Sequence, residues 1–279
     1  MGPLAKYLET LQATLAPVSQ ECALYEAEQI LQHILKCSRS DLYLKGSQLL
    51  NDDENVRLQA IIEKRLSGEP LAYILGSVFF YSMDILVNRD VMIPRPETEI
   101  LVDTILKNES SEQCAFIDVG TGSGAIAAVL CKERALWGGI GIDNSPAALV
   151  TARQNCNSDK IKLVCSDLFT SIKKTGYDFI VSNPPYVSED EMKELDPSVS
   201  RYEPHKALWG GKDGMDFYRY LSAEGKKVLK PGGRIYCEIG YSQGEKSGII
   251  FSEASWSNIK ILNDLTSRPR VVMATCDNF

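Results

Sequence analysis

The chain has only two histidines, His33 and His205, and its closest cysteines, Cys156 and Cys165, stand nine positions apart, so no CxxC occurs. A zinc site wants such ligands in close pairs, and their scarcity sets metal chemistry aside and leaves the eight cysteines as small reduced packing residues. No apolar run approaches the roughly 18 to 20 residues of a membrane span. The start, MGPLAKYLET, lacks the charged-then-apolar order of a secretory leader. Both readings lead to the expectation of a cytoplasmic protein. Positive charge is also short: 30 Lys and Arg face 37 Asp and Glu, for a net charge of −7. Residues 1–75 carry 7 basic and 10 acidic side chains and the remainder 23 and 27, so neither part is a basic module. Long nucleic acid is held by neutralising phosphates, and this balance argues against it as the main partner.

What the chain has is 44% hydrophobic residues over 279, enough for a sizeable core and about two domains. Leu4, Leu8, Leu11 and Leu15 recur at steps of four and three, which places them on one helical face. Ala27, Ile30, Leu31, Ile34 and Leu35 form a second stripe. A third helix starts at Asn51 or Asp52, carries Leu58, Ile61, Ile62 and Leu66, and stops at Gly68. Residues 1–75 are therefore expected to form a helical domain. VFFYSMDILV, residues 78–87, is aromatic and β-branched with a polar break at its centre, and predicts a β-hairpin within a linker spanning 76–93.

From residue 94 to 279 the pattern changes to strands alternating with helices. The expected strands are 115–119, 138–142, 161–165, 177–182, 234–239, 259–262 and 271–275. Such alternation implies an α/β fold, a mostly parallel sheet with helices on both faces.

Two stretches carry chemistry. FIDVGTGSGAIAAVL, residues 116–130, is a strand, a glycine-rich turn and a helix, with Asp118 two positions before Gly120 and glycines alternating at 120, 122 and 124. A dinucleotide fingerprint wants G-x-G-x-x-G, which this is not. Asp143 and Asp167 close the next two strands, and Phe169 follows. Three acidic strand ends suit S-adenosylmethionine, which bears a sulfonium cation and an adenosine but no pyrophosphate. Asp143 would accept from the ribose hydroxyls and Phe169 would cover the adenine. A dinucleotide site, or a plain βα turn with solvated acids, remains the alternative at this point.

The second stretch is SNPPYV, residues 182–187. An Asn-Pro-Pro-Tyr run should arise by chance on the order of once in a thousand chains this long, so an ordinary strand-ending turn is a poor account of it. In a doubly wound sheet the strand before it lies beside the glycine-loop strand, at the topological switch where ligands bind. The prolines hold the chain extended and free the Asn183 side chain and the Pro184 carbonyl to accept the two hydrogens of a planar NH2, with the Tyr186 ring on its flat face. Asn183, Pro184 and Tyr186 are thus the candidate catalytic residues. Asn183, Pro184, Pro185 and Tyr186 together are the substrate contacts.

With GEPLAYILG (68–76), IPRPETE (93–99), RYEPHKAL (201–208), EIGYSQ (238–243) and DLTSRPRVV (264–272), the sequence resembles the bacterial release factor glutamine methyltransferases over nearly its full length. Residues 1–67 share only length and helical character with them. The resemblance implies a class I, Rossmann-like S-adenosylmethionine-dependent methyltransferase with a seven-stranded, mostly parallel sheet and a small N-terminal helical domain. It implies transfer of methyl from S-adenosyl-L-methionine, leaving S-adenosyl-L-homocysteine, to the Gly-Gly-Gln glutamine of peptide chain release factors, by a chain expected to act as a monomer. Carried over residue by residue, Asp118, Gly120, Thr121, Gly122, Ser123, Gly124, Asp143, Asp167, Phe169 and Asn183 hold the donor. Arg95 and Glu97 either frame the entrance or merely start a helix, Glu203 and Glu238 brace the core, and His33 and His205 are surface or packing residues. The rivals are a glutamine methyltransferase acting on a ribosomal protein and a DNA adenine methyltransferase. The latter would have to flip a base and grip phosphates.

Overall fold

The computed structural model describes residues 3–44, 49–156, 159–173 and 175–277. The chain forms two compact units, Met1–Gly76 with Pro197–Tyr202, and Ser77–Asp196 with Glu203–Phe279.

In the smaller unit the leucine stripe lies on helix Pro3–Ser19, the second stripe on Ala23–Leu35 and the third on Asp52–Leu66. Their apolar faces meet in one cluster that includes Leu8, Leu11, Leu15, Ile30, Leu31, Ile34, Leu58 and Ile62. Burial of these faces, rather than helix propensity, holds such short helices in place. The Asp52–Leu66 helix also carries a capping box. Asn51 Oδ1 accepts from the Glu54 N–H at 2.9 Å, and Glu54 Oε2 accepts from the Asn51 N–H at 2.8 Å. Asn51→Ala is expected to cost about 1 kcal/mol locally, which speeds amide hydrogen exchange along residues 52–66 about fivefold. Unchanged exchange there would show that the box contributes nothing.

The larger unit opens with a two-stranded antiparallel hairpin, β1 (Ser77–Phe80) and β2 (Met83–Leu86). Its turn residue Tyr81 is fixed to the helix Thr98–Asn108, donating its N–H to Glu99 at 2.7 Å and its hydroxyl to Asp103 at 2.8 Å. The hairpin therefore clusters with this unit.

Seven further strands form one sheet: β3 (Ala115–Val119), β4 (Gly138–Asp143), β5 (Ile161–Cys165), β6 (Tyr177–Ser182), β7 (Leu229–Glu238), β8 (Ser257–Asn263) and β9 (Pro269–Thr275). Their order is β5-β4-β3-β6-β7-β9-β8, parallel except for β9, which runs antiparallel between β7 and β8. This is the seven-stranded, mostly parallel α/β sheet expected of a class I methyltransferase. The central strands are buried on both faces, as parallel strands are, with Phe116, Ile117, Phe179, Ile180, Val181, Ile235 and Cys237 removed from solvent. β3 and β6 are neighbours, paired from Phe116 opposite Phe179 to Val119 opposite Ser182. β4 lies on the other side of β3, so the chain reverses its strand order between β3 and β6. Crevices outside such a reversal are where ligands bind in open α/β sheets.

Candidate active site

At the carboxyl edge of β3 the backbone must turn at once into the helix Ala125–Glu133. Gly120, at φ +69°, begins the turn with its N–H and that of Thr121 both donated to the Ile142 carbonyl at 2.9 Å. Gly124 ends it at φ +77°, where a Cβ would lie 2.7 Å from Cys156 Sγ and 3.2 Å from the Ala152 backbone. Only glycine meets both demands. Beneath the loop, Asp118 is fully buried. One of its oxygens accepts from Thr121 Oγ1 at 2.6 Å, and the other makes no hydrogen bond of good geometry among the described residues. Burial pushes this carboxyl up to about 7, helped by the Asp143 charge and opposed by the Thr121 hydroxyl and the Ala127 backbone N–H.

Asp143, at the end of β4, is held from two sides. One carboxylate oxygen accepts the Gly122 N–H and the other the Ser145 N–H, both at 2.9 Å. These bonds fix the side chain at the loop while leaving lone pairs for further donors, since an ionised carboxylate has about four. Asp167 lies exposed just past β5. Leu168 adopts φ +48°, and the next side chain, Phe169, is buried against Tyr220, ring centroids 6.0 Å apart.

At the end of β6, Ser182 Oγ donates to the Val119 carbonyl at 2.7 Å, pinning the Asn-Pro-Pro-Tyr corner to the glycine loop. The corner is fixed from the other side as well. Gln243 Nε2 donates to the Tyr186 carbonyl at 2.8 Å, Val187 N–H donates to Leu208, and Gly210 N–H to Val187, each at 2.9 Å. Asn183 Nδ2 donates to Thr98 Oγ1 at 3.1 Å, and Thr98 Oγ1 donates to Glu238 Oε2 at 2.6 Å. Tyr186 Oη makes a long 3.4 Å contact to the other Glu238 oxygen. Burial raises the Glu238 carboxyl to about 7, opposed by the Thr98 hydrogen bond, the Arg270 charge and the Tyr186 contact, and reinforced by Glu97. The Tyr186 phenol is pushed up by burial first and by the charge of Glu238 second.

These strand ends surround a cavity of about 280 Å3, near the lower end of small-ligand pockets, roughly 300 Å3 and upward. Of the residues expected at the site, Gly120, Thr121, Gly122, Ser123, Asp143, Asp167, Asn183 and Pro185 line it. Asp118, Gly124, Pro184 and Tyr186 do not, and shape the loop or corner instead. Phe169 does not line it either. The left-handed turn at Leu168 leaves Leu168 on the wall and Phe169 in the core. The set fits a nucleoside-bearing donor: a carboxylate with lone pairs to spare, a small-residue loop allowing close approach, and apolar walls from Ile142, Ala148 and Leu168.

Several wall residues escaped the motif reading. Thr98 lines the cavity from the IPRPETE stretch, while Arg95 pairs with Glu203, which also accepts the Ile93 N–H at 3.2 Å. Glu203 thus braces two family stretches against each other. His205, expected as an ordinary surface or packing residue, is exposed but also lines the cavity, as do Lys206 and Asp90. Thr98 and Gln243 stand in the stretches IPRPETE and EIGYSQ, where nothing local marks either for a role, while Glu238, expected to brace the core, is buried and bonded to Thr98.

Residues 6–76 match the family described as PrmC N-terminal domain, and residues 96–196 match the methyltransferase small domain. The first 67 residues, alike only in length and helical character by motif, fall mostly within the first match. The chain is 35% identical to a release factor glutamine methyltransferase of Nitratidesulfovibrio vulgaris, over 98% of each chain. It is 40% identical to one from Koribacter versatilis, over 88% of this chain and 89% of that one. Among solved structures, a methyltransferase from Pyrococcus furiosus superposes with a TM-score of 0.52 at 15% identity, covering 82% of this chain and all of the other, a likeness of fold.

Proposed function

Because the chain belongs to the release factor glutamine methyltransferase family, we propose that it transfers a methyl group from S-adenosylmethionine to the side-chain amide nitrogen (N5) of the glutamine in the Gly-Gly-Gln motif of peptide chain release factors. One observation carries the reading. Asn183, from the Asn-Pro-Pro-Tyr corner, lines the same cavity as Gly120–Ser123 and Asp143, on strands that are direct neighbours.

When bound, S-adenosylmethionine supplies a methyl group on a positively charged sulfur. Gly120 to Ser123 give the backbone approach it needs, and Asp143 accepts from its ribose hydroxyls. The role assigned to Phe169, an apolar contact to the adenine face, falls to Leu168 beside Asp167. Asn183 Oδ1 and the Pro184 carbonyl accept the two hydrogens of the acceptor NH2. Pro184 acts through its carbonyl, with which burial of its ring is compatible, and Tyr186 is proposed to bear on the amide plane. An amide nitrogen is a poor nucleophile. Fixing it in line with the methyl group can supply roughly 7 to 11 kcal/mol, and two preorganised acceptors favour the positive charge that develops on nitrogen.

The test is incubation of the full chain with methyl-labelled S-adenosylmethionine and a release factor. One labelled methyl is expected on the Gly-Gly-Gln glutamine, and replacing that glutamine should abolish the label. Label that persists, or that goes instead to a ribosomal protein or to DNA, would overturn the substrate assignment.

A further inference from the structure

The amide group of asparagine has two nearly isosteric ends, and which of them faces the cavity is decided by the hydrogen-bond network around it. Here the network has a definite polarity. A carboxylate accepts only, so Glu238 Oε2, 2.6 Å from Thr98 Oγ1, takes the single hydroxyl proton of Thr98. With that proton committed, the Thr98 oxygen can only accept from Asn183, at 3.1 Å, and it therefore selects the Nδ2 end. Oδ1 is then the end left for a guest. Were the polarity reversed, Asn183 would offer an NH2 to the NH2 of its substrate, two donors face to face.

We propose that Thr98 and Glu238 are positioning residues that fix the acceptor end of the Asn183 amide toward the substrate. This rests on the reading of Asn183 as the clamp on the substrate amide, and goes beyond it by assigning the device that sets the clamp's polarity. The three residues come from distant parts of the chain, 85 and 140 positions apart along the two bonds. Thr98 Oγ1 is the junction between them. Neither Thr98 nor Glu238 is assigned to the reacting atoms.

The polarity holds while Glu238 is ionised. A protonated Glu238 can donate to Thr98, which frees the Thr98 hydroxyl to donate to Asn183 Oδ1 and turns the amide round. The groups facing Glu238 are Thr98, Tyr186, Arg270 and Glu97, together with Tyr218, whose hydroxyl donates to the Glu238 main-chain carbonyl at 2.8 Å. Because burial raises the Glu238 carboxyl, the working form is lost as pH falls through its titration and is complete above it.

Three variants of the full chain test the device, with single-turnover methylation of a release factor as readout and S-adenosylmethionine affinity as the check on folding. Thr98→Val keeps the shape and removes the hydroxyl. It is expected to lower the methylation rate about tenfold to a hundredfold, the usual loss when a partner that orients a working group is removed, with donor affinity within about threefold of the parent. Thr98→Ser restores the hydroxyl and should recover most of the rate. In Glu238→Gln the acidic limb of the rate profile contributed by Glu238 should vanish. Full activity in Thr98→Val would overturn the proposal, and so would a Thr98→Ser variant that binds donor yet is as slow as Thr98→Val. A Glu238→Gln variant with an unaltered acidic limb would overturn it as well. Asn183→Ala separates the two levels: if it is slow while Thr98→Val is not, only the positioning role fails, and if it too is unimpaired, the reading of Asn183 itself fails.

Discussion

Asn183→Ala is expected to slow methyl transfer by about two to three orders of magnitude, the range seen when one preorganised hydrogen-bonding group is removed from a transition-state site. The side chain accepts one of the two substrate hydrogens in the proposed arrangement, and alanine leaves only the Pro184 carbonyl to orient the NH2. Little else should change. Thr98 keeps its 2.6 Å bond to Glu238, and the corner stays pinned by Ser182 and Gln243. Single-turnover rates at saturating donor, set beside equilibrium donor binding, separate the effects. A rate loss with donor affinity within a few-fold marks Asn183 as the acceptor clamp. An equal collapse of donor affinity would make it chiefly a donor ligand.

Asp143→Ala has the opposite expected signature. Hydrogen bonds to a charged group contribute about 1.5 to 3 kcal/mol each, so losing two ribose bonds should weaken S-adenosylmethionine binding by a hundredfold or more. The same carboxylate also holds the Gly122 and Ser145 N–H groups at 2.9 Å, and its removal loosens the loop that receives the donor. At saturating donor the rate should stay within about tenfold of the parent, because the acceptor clamp is untouched. Asp143→Asn is an informative companion: it keeps an acceptor oxygen but turns the other end into a donor, which clashes with one of the two backbone N–H groups. Calorimetry or fluorescence titration with donor and with S-adenosylhomocysteine measures both. Donor affinity unchanged in Asp143→Ala would remove Asp143 from the donor site.

Much of this fold is legible in the chain itself. All seven strands of the main sheet lie where alternating apolar runs place them, three with the expected ends and the others longer by one to five residues at an end, apart from Ile239 just past β7. The extension is largest in β7, which begins at Leu229 and carries Pro231, Gly232 and Gly233 before the apolar run. Those residues read as a turn by local rule, yet the strand pairs Leu229 with Tyr177 across an irregular register. The adjacency of β3 and β6 was also readable, because right-handed crossovers leave a doubly wound sheet few alternatives.

The side chains at the strand ends were less legible. Phe169 is a reasonable guess for an adenine contact by composition, but a single left-handed residue before it exchanges its place with that of Leu168. His205 reads as surface, since nothing in its neighbourhood along the chain indicates that residues 204–207 share a wall with Asp90 and Asn183.

By itself the sequence determined the layers, the adjacency of β3 and β6, and the two motifs that meet at the switch point. Hydrophobic period, glycine and proline are local properties, and they act wherever the chain goes. Only the tertiary structure decided that Thr98 and Glu238 stand between Asn183 and Tyr186, that Asp118 lies beneath the loop rather than in the cavity, and that Gln243 holds the corner. Each of these is a side-chain hydrogen bond or a burial set by residues far apart in the chain. Such contacts are directional within a few tenths of an ångström and so depend on how finished elements pack, which no local pattern encodes.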